Sequence, residues 1–302
     1  MIKKILIIGS KGFIGSHAYH YFSSLPTGYE CWGCDVEVDY NDSHYFQIDG
    51  TNSNYTDIFE KVASDVCINC SGAASVPDSV IHPLRDFTLN VFNVVKILDA
   101  IKKLSQNCKF INLSSAAVYG NPTQLPIAEQ DSCNPVSPYG MHKQMAEKLC
   151  KEYAAFFGLQ TCSARIFSAY GPGLKKQLLW DIYKKTVQSG TVTLFGTGVE
   201  SRDFIYVSDI VHSLEVLILK AKFDGAVYNV ANGIEITIRQ LAESMLKELN
   251  YAGELVFTGQ ERIGDPINWK ADITKMNALG YQSQTNIHDG IAAYVKWLNE
   301  EK

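Results

Sequence analysis

Short apolar runs alternate along the first half of the chain with longer stretches whose apolar residues recur every three or four positions. The runs Ile5–Ile8, Glu30–Cys34, Val66–Asn69, Phe110–Leu113 and Thr161–Ile166 are too short for helices, and several are rich in Val, Ile and Cys without a break. Continuous apolar runs of this length fit strands covered on both faces of a parallel sheet. Between them, Phe13–Ser23, Tyr55–Val62, Pro83–Leu104 and Tyr139–Phe157 carry helical spacing. This rhythm predicts an α/β fold built on a doubly wound parallel sheet. It breaks after about Gly171, where Pro172, Gly173, Gly190, Gly196 and Gly198 punctuate shorter segments before a last helix over Ile287–Glu300. The second part predicts a smaller α/β lobe covering the C-terminal edge of the sheet.

Composition narrows the partners. The chain has 302 residues, 46% hydrophobic and 20% charged, which is enough to bury a large core. Its 27 Lys+Arg against 32 Asp+Glu give a net charge of −5, without the excess of basic residues expected of a nucleic-acid or anionic-membrane surface. No apolar run approaches the ~18 residues of a membrane span. Met1-Ile2-Lys3-Lys4 followed by Ile5–Ile8 superficially resembles an export signal. Its apolar stretch stops at Gly9 with no small-residue cleavage site, so a buried strand and a cytoplasmic protein are expected.

Eight cysteines include two pairs with zinc-site spacing, Cys31/Cys34 and Cys67/Cys70. Both pairs fall in strand-like runs, where residues i and i+3 face opposite sides, so buried reduced thiols and no metal are expected. His17 and His20 sit three apart with no third ligand in view, and read as a surface or packing pair.

Gly9-Ser-Lys-Gly12-Phe-Ile-Gly15 follows the first strand and opens the first helix. Gly9 permits the tight turn, Gly12 lets backbone approach a pyrophosphate, and Gly15 permits close helix–strand packing. The helix N-terminus offers N–H groups and positive dipole to the anion. Asp35 ends the second strand, where a carboxylate can accept hydrogen bonds from an adenosine ribose and would repel a 2′-phosphate. NAD is therefore favoured over NADP.

Tyr139-Gly-Met-His-Lys143 places a phenol and an ammonium on one helix face. Free tyrosine, with a pKa near 10, is a poor base at neutral pH. A neighbouring Lys143 ammonium and a cationic nicotinamide are expected to favour phenolate. Ser115, at the end of a strand, is placed to hydrogen-bond the substrate hydroxyl that Tyr139 deprotonates.

With these blocks assembled, the chain resembles the extended short-chain dehydrogenase/reductase family, in its nucleotide-sugar epimerase/dehydratase branch. The resemblance runs over essentially the whole length. It takes in the glycine loop, Ala73-Ala74-Ser75-Val76 with Ser79, Pro83 and Asn90, then Ser114-Ser115-Ala-Ala-Val-Tyr-Gly and Ser137-Pro-Tyr139-Gly-Met-His-Lys143. It continues through Arg165-Ile-Phe167-Ser-Ala-Tyr-Gly-Pro172, Ser201-Arg202-Asp203-Phe204, Arg262-Ile-Gly264-Asp265 and Ala271-Asp272. It implies a Rossmann-type NAD-binding domain over 1–170, with 204–232 returning to it, and a nucleotide-sugar lobe over 171–203 and 233–302.

By the same resemblance Ser115, Tyr139 and Lys143 form the hydride-transfer site. Gly9, Gly12, Phe13, Ile14, Gly15 and Asp35 hold the dinucleotide, with Asp49 and Gly50 toward the adenine and Ala73, Ala74 and Asn90 in the same cofactor set. Ser75, Ser115, Ser168, Arg202 and Arg262 face the substrate, the two arginines gripping its diphosphate. The resemblance also implies a homodimer in which Pro83–Leu104 and Tyr139–Phe157 form an intermolecular four-helix bundle.

Members of the branch begin by oxidising the sugar, usually at C4, and diverge afterwards. The 4,6-dehydratases place an Asp-Glu pair just after the active-site hydroxyl residue, and decarboxylating members typically carry Glu at the second of these positions. Here the residues are Ala116 and Ala117, which argues against both reactions. A C4 epimerase needs one Tyr/Lys/Ser set, and this reading is favoured. Reduction of a 4-keto-6-deoxy nucleotide sugar by NAD(P)H is the alternative. A non-catalytic NAD-binding sensor is disfavoured because such proteins characteristically lose the Tyr or the Lys. Ser168 stands where many 4-epimerases carry Asn, and Gln177-Leu-Leu-Trp180-Asp181 falls where a different sugar pocket would be defined.

Overall fold

The computed structural model describes residues 3–26, 28–188, 190–260 and 266–301. The apolar runs become β1 (Lys3–Ile8), β2 (Tyr29–Asp35), β3 (Tyr45–Gln47), β4 (Val66–Asn69), β5 (Lys109–Ser115) and β6 (Gln160–Ile166). Helices α1 (Phe13–Ser24), α2 (Tyr55–Val62), α3 (Val76–Ile81), α4 (Pro83–Phe87), α5 (Asn93–Leu104) and α6 (Pro138–Phe157) connect them. The chain then leaves the sheet through β7 (Ser168–Tyr170), α7 (Gln177–Gln188), β8 (Thr191–Leu194) and β9 (Ser201–Tyr206). It comes back through α8 (Val207–Lys220) and β10 (Asp224–Val230). The large sheet has the order β3-β2-β1-β4-β5-β6-β10, with every neighbouring pair parallel.

Alternation within β1 shows why both faces must be covered. Ile5 and Ile7 enter one apolar layer with Ala18 and Phe22 of α1 and Leu214 and Leu217 of α8. Leu6 and Ile8 enter the other, with Phe59 of α2, Ile97 and Ile101 of α5 and Ala146 of α6. Each such fully buried side chain contributes about 1.5–3 kcal/mol of transfer free energy. The CxxC pairs straddle these layers: Cys31 and Cys70 pack on the first, Cys34 and Cys67 on the second, all as free thiols.

The rest of the chain adds β11 (Glu235–Thr237), α9 (Ile238–Glu248), β12 (Glu254–Phe257), α10 (Thr274–Ala278) and α11 (Ile287–Glu300). A small sheet of order β11-β9-β7 and a parallel pair of β8 with β12 share a third core, built from Leu179, Ile182, Leu241, Met245, Tyr294 and Leu298.

One helix differs from its expected form. Pro83–Leu104 is interrupted by a π-helical turn over Thr88–Phe92 between α4 and α5. Such turns cluster at functional sites, and this one carries Asn90, which is buried. Among the described residues, no helix is long and apolar enough to cross a membrane.

Candidate active site

The connection after β1 passes to α1 on one face of the sheet, and that after β4 passes to helices on the other. A crevice opens at the C-terminal strand ends where the winding reverses, the usual ligand position in such sheets. Here it is part of a cleft of about 1050 Å³. Gly12, Phe13 and Ile14 line it from the glycine loop, Ala73, Ala74 and Ser75 from the loop after β4, and Ser115, Ala117, Tyr139 and Lys143 from β5 and α6. Ser168 and Arg202 reach it from the small sheet. Asp35, Asp49 and Gly50 lie outside this wall, toward the β2–β3 edge, and Arg262 lies outside the described residues.

The glycine loop is built by close approaches. Gly9 has φ +83°, and a Cβ there would stand 2.7 Å from the Ser71 nitrogen, so it both turns the chain and abuts the end of β4. A Cβ on Gly15 would fall 1.9 Å from the Gly9 carbonyl oxygen. Its bare Cα lets the first turn of α1 close onto the residue that directly follows β1. Gly12 precedes α1 without a side-chain cap, which leaves first-turn N–H groups for an anion.

Two further observations fit a dinucleotide. The Asn90 amide is buried with no hydrogen-bond partner among the described residues, and its Oδ1 stands 2.4 Å from where a Cβ on Gly72 would be. Asp35 accepts one hydrogen bond per oxygen, from the Lys11 and Val36 backbone N–H groups, so each oxygen keeps acceptor capacity. Asp49, by contrast, uses Oδ1 within its own turn, accepting from the Thr51 N–H, the Thr51 hydroxyl and the Asn52 N–H.

Helix α6 begins where the sequence dictates. Ser137 accepts the Gly140 N–H at 3.1 Å, Pro138 occupies the first turn, and Gly158 ends the helix at φ +68°. Ser79 fixes the first turn from α3, its Oγ accepting the Tyr139 N–H at 3.2 Å. Lys143 lies one turn beyond Tyr139, its Nζ 5.9 Å from the phenol ring centroid and donating to the Leu113 carbonyl at 2.9 Å. Ser115 caps the short turn after β5, its Oγ accepting the Ala117 N–H.

Burial dominates the electrostatics of the pair. Burial pushes the Tyr139 phenol up to about 12; the Ser115 hydroxyl beside it pulls downward, while the Asp86 carboxylate adds to the rise. Lys143 is pushed down to about 8 by burial, against the opposing pull of Asp86, Cys70 and Glu147. Burial therefore opposes phenolate formation, Ser115 favours it, and the positive charge of a bound nicotinamide would add to the second side.

Sequence reasoning overlooked several groups here. Asp86, buried on α4, sits 2.5 Å from His142 Nδ1 on α6. Trp269 lies under the Arg202 guanidinium, 5.6 Å from carbon to ring centroid, while Arg202 Nη1 also donates to the Ser201 and Ile267 carbonyls. Lys175, Lys176, Lys184 and Lys185 of the small lobe line the cleft. Their Lys-Lys pairs flanking Gln177–Asp181 were a legible signal, whereas nothing local marks Asp86 or Trp269.

Residues 5–231 match the NAD-dependent epimerase/dehydratase family. The UDP-glucose 4-epimerase of Lactobacillus helveticus is 28% identical, over 97% of this chain and 96% of that one. The GDP-6-deoxy-D-mannose reductase of Pseudomonas aeruginosa is 26% identical, over 92% and 95%. The crystal structure of a UDP-glucose 4-epimerase from Thermotoga maritima with UDP-glucose superposes with a TM-score of 0.90, at 25% identity and 99% coverage of both chains. With a glycine cradle, a strand-end carboxylate and an orphaned amide that fit NAD, and a match over most of its length, the chain belongs to the NAD-dependent epimerase/dehydratase family.

Proposed function

We propose that the protein epimerises a nucleotide-diphosphate sugar at C4 through a transient 4-keto sugar. NAD, when bound, supplies the acceptor for the C4 hydride and its later donor. Tyr139 takes the proton of the C4 hydroxyl and returns it, Ser115 holds that hydroxyl, and Lys143 places a positive charge beside the phenol. Phe13, Ile14, Ala73, Ala74 and Asn90 serve the cofactor, and Ser75, Ser168 and Arg202 orient the substrate, with Trp269 supporting the Arg202 guanidinium.

The observation that carries this reading is what faces the sugar end of the cleft after Ser115. Ala116 is fully buried and Ala117 lines the wall, so neither brings the acid or base that dehydration or decarboxylation would require. One proton-transfer set suffices for an epimerase, because the same groups run both half-reactions. We propose also that two copies pair through α3–α6, where Val80, Ile81, Leu84, Phe92, Met141, Met145 and Phe156 are exposed.

The test is incubation of the purified protein with UDP-glucose, UDP-N-acetylglucosamine, UDP-glucuronic acid and a 4-keto-6-deoxy nucleotide sugar, following NADH absorbance and product stereochemistry. Inversion at C4 without net change in NADH is expected, and Tyr139→Phe should slow it by about 10²–10⁴-fold. Net NADH consumption with the 4-keto sugar alone would overturn the epimerase reading in favour of a reductase.

A further inference from the structure

Asp35 ends β2 and the segment after it carries Glu37, Asp39 and Asp42, into which the Lys11 ammonium of the glycine loop reaches. Lys11, directly before Gly12, donates its backbone N–H to Asp35 Oδ2 at 2.7 Å and sets its ammonium 2.5 Å from Asp39 Oδ2. The same ammonium lies 4.9 Å from the Tyr45 ring centroid, and the Tyr45 hydroxyl donates to the Glu37 carbonyl, closing the loop over the pair. Asp39 Oδ1 accepts the Asn41 N–H at 3.0 Å, so the carboxylate is fixed by its own turn as well as by Lys11. The cation beside it holds the Asp39 carboxyl below the usual carboxylate range.

An ammonium in this place is unneeded by a ribose diol, which wants acceptors such as Asp35. It is what a 2′-phosphate would seek, since phosphate binds ammonium through charge-assisted hydrogen bonds. Asp39 occupies that charge, and its own charge would stand close to any incoming phosphate. We propose that Asp39 is a cofactor-selectivity residue of this chain. By holding the Lys11 ammonium it denies a 2′-phosphate its natural partner, and so adds to Asp35 in favouring NAD over NADP. The proposal rests on the NAD reading of the site.

Equilibrium binding of NAD and NADP to the full chain, measured by calorimetry at low and moderate salt, tests it. Wild type is compared with Asp39→Asn, Asp39→Ser, Lys11→Met and the Lys11→Met/Asp39→Asn double variant. Either Asp39 substitution should tighten NADP by about tenfold, equivalent to about 1.4 kcal/mol, while NAD affinity moves by less than about threefold. The gain should shrink as salt rises and vanish in the double variant, because Lys11 delivers it. An unchanged NADP-to-NAD ratio in both Asp39 variants, or a gain that survives Lys11→Met, would overturn the proposal. A wild-type protein that binds neither dinucleotide would instead overturn the cofactor reading on which it stands.

Discussion

Glu147 sits one turn beyond Lys143 on α6 and neutralises the Arg165 cation brought by β6. Glu147 Oε1 accepts from Ser114 Oγ at 2.6 Å and Arg165 Nε at 2.9 Å, and Oε2 accepts from Arg165 Nη2 at 2.7 Å. Arg165 Nη1 donates to the Tyr119 hydroxyl at 2.7 Å and the Glu129 carbonyl at 3.1 Å. Side-chain exposures of 5% and 8% leave neither charge a route to water. Removing one partner strands the other, which costs about 3–5 kcal/mol in such pairs. Glu147→Leu or Arg165→Met should therefore lower the melting temperature by about 6–10 °C, taking roughly 2 °C per kcal/mol for a chain of this size.

The Arg165→Met/Glu147→Leu double variant removes both charges. Tyr119 keeps its bond to Asn229 Oδ1 at 2.6 Å, leaving Ser114 Oγ and the Glu129 carbonyl as the groups to re-satisfy. At about 1–3 kcal/mol for each unsatisfied polar group, the double variant should lose about 2–6 kcal/mol, below the roughly 6–10 kcal/mol sum of the singles. Calorimetric melts of the four proteins form the cycle. Single variants that each lose less than about 1 kcal/mol, or losses that simply add, would refute the reasoning.

Lys143→Met should raise the melting temperature at pH 7 while abolishing turnover. The buried ammonium has a folded pKa near 8 against 10.5 when free, so below pH 8 folding bears its full desolvation. Between those values the unfolded chain binds more protons, wild-type stability rises with pH, and the variant's advantage should fade; an advantage constant from pH 7 to pH 10 would contradict this. Gly15→Ala should weaken NAD binding by at least about a hundredfold, or about 3 kcal/mol, as its methyl would overlap the Gly9 carbonyl. Gly12→Ala, whose Cβ would stand 3.3 Å from the same carbonyl oxygen against 1.9 Å for Gly15, should lower the melting temperature much less than Gly15→Ala, and equal losses in a calorimetric melt would count against the loop geometry. Light scattering at micromolar concentration should give a dimer for wild type and a monomer for Leu84→Arg or Met145→Glu; a wild-type monomer would dismiss the pairing.

What could be read in advance was local. Tyr55–Val62, Val66–Asn69 and Ile287–Glu300 match their expected bounds because apolar period and end signals lie within the segments themselves. Tyr139 and Lys143 share a face because helical spacing alone puts them there. The π turn at Thr88–Phe92 was not legible, since an extra residue per turn leaves the composition unchanged. Nor were the pairs Lys11–Asp39, Asp86–His142 and Glu147–Arg165. Their members lie 18 to 56 positions apart, beyond the reach of any local pattern, and each charge taken singly reads as an ordinary solvated residue. Burial and the Asp86 carboxylate, which raise the Tyr139 phenol, were not legible either, because burial is a property of the packed whole and Asp86 comes from another helix.

The place of β10 in the sheet has a consequence for biosynthesis. It closes the open side of β6, yet it is complete only about 64 residues after β6 ends at Ile166, once β7, α7, β8, β9 and α8 have been translated. At about 5–20 residues per second, a nascent chain spends roughly 3–13 seconds on the ribosome with that edge bare. Unpaired backbone along a β6 whose residues from Thr161 to Ile166 are buried once folding is complete invites association with neighbouring nascent chains. Early termination before Asp224 would make the vulnerability permanent, turning a transient hazard into an insoluble product.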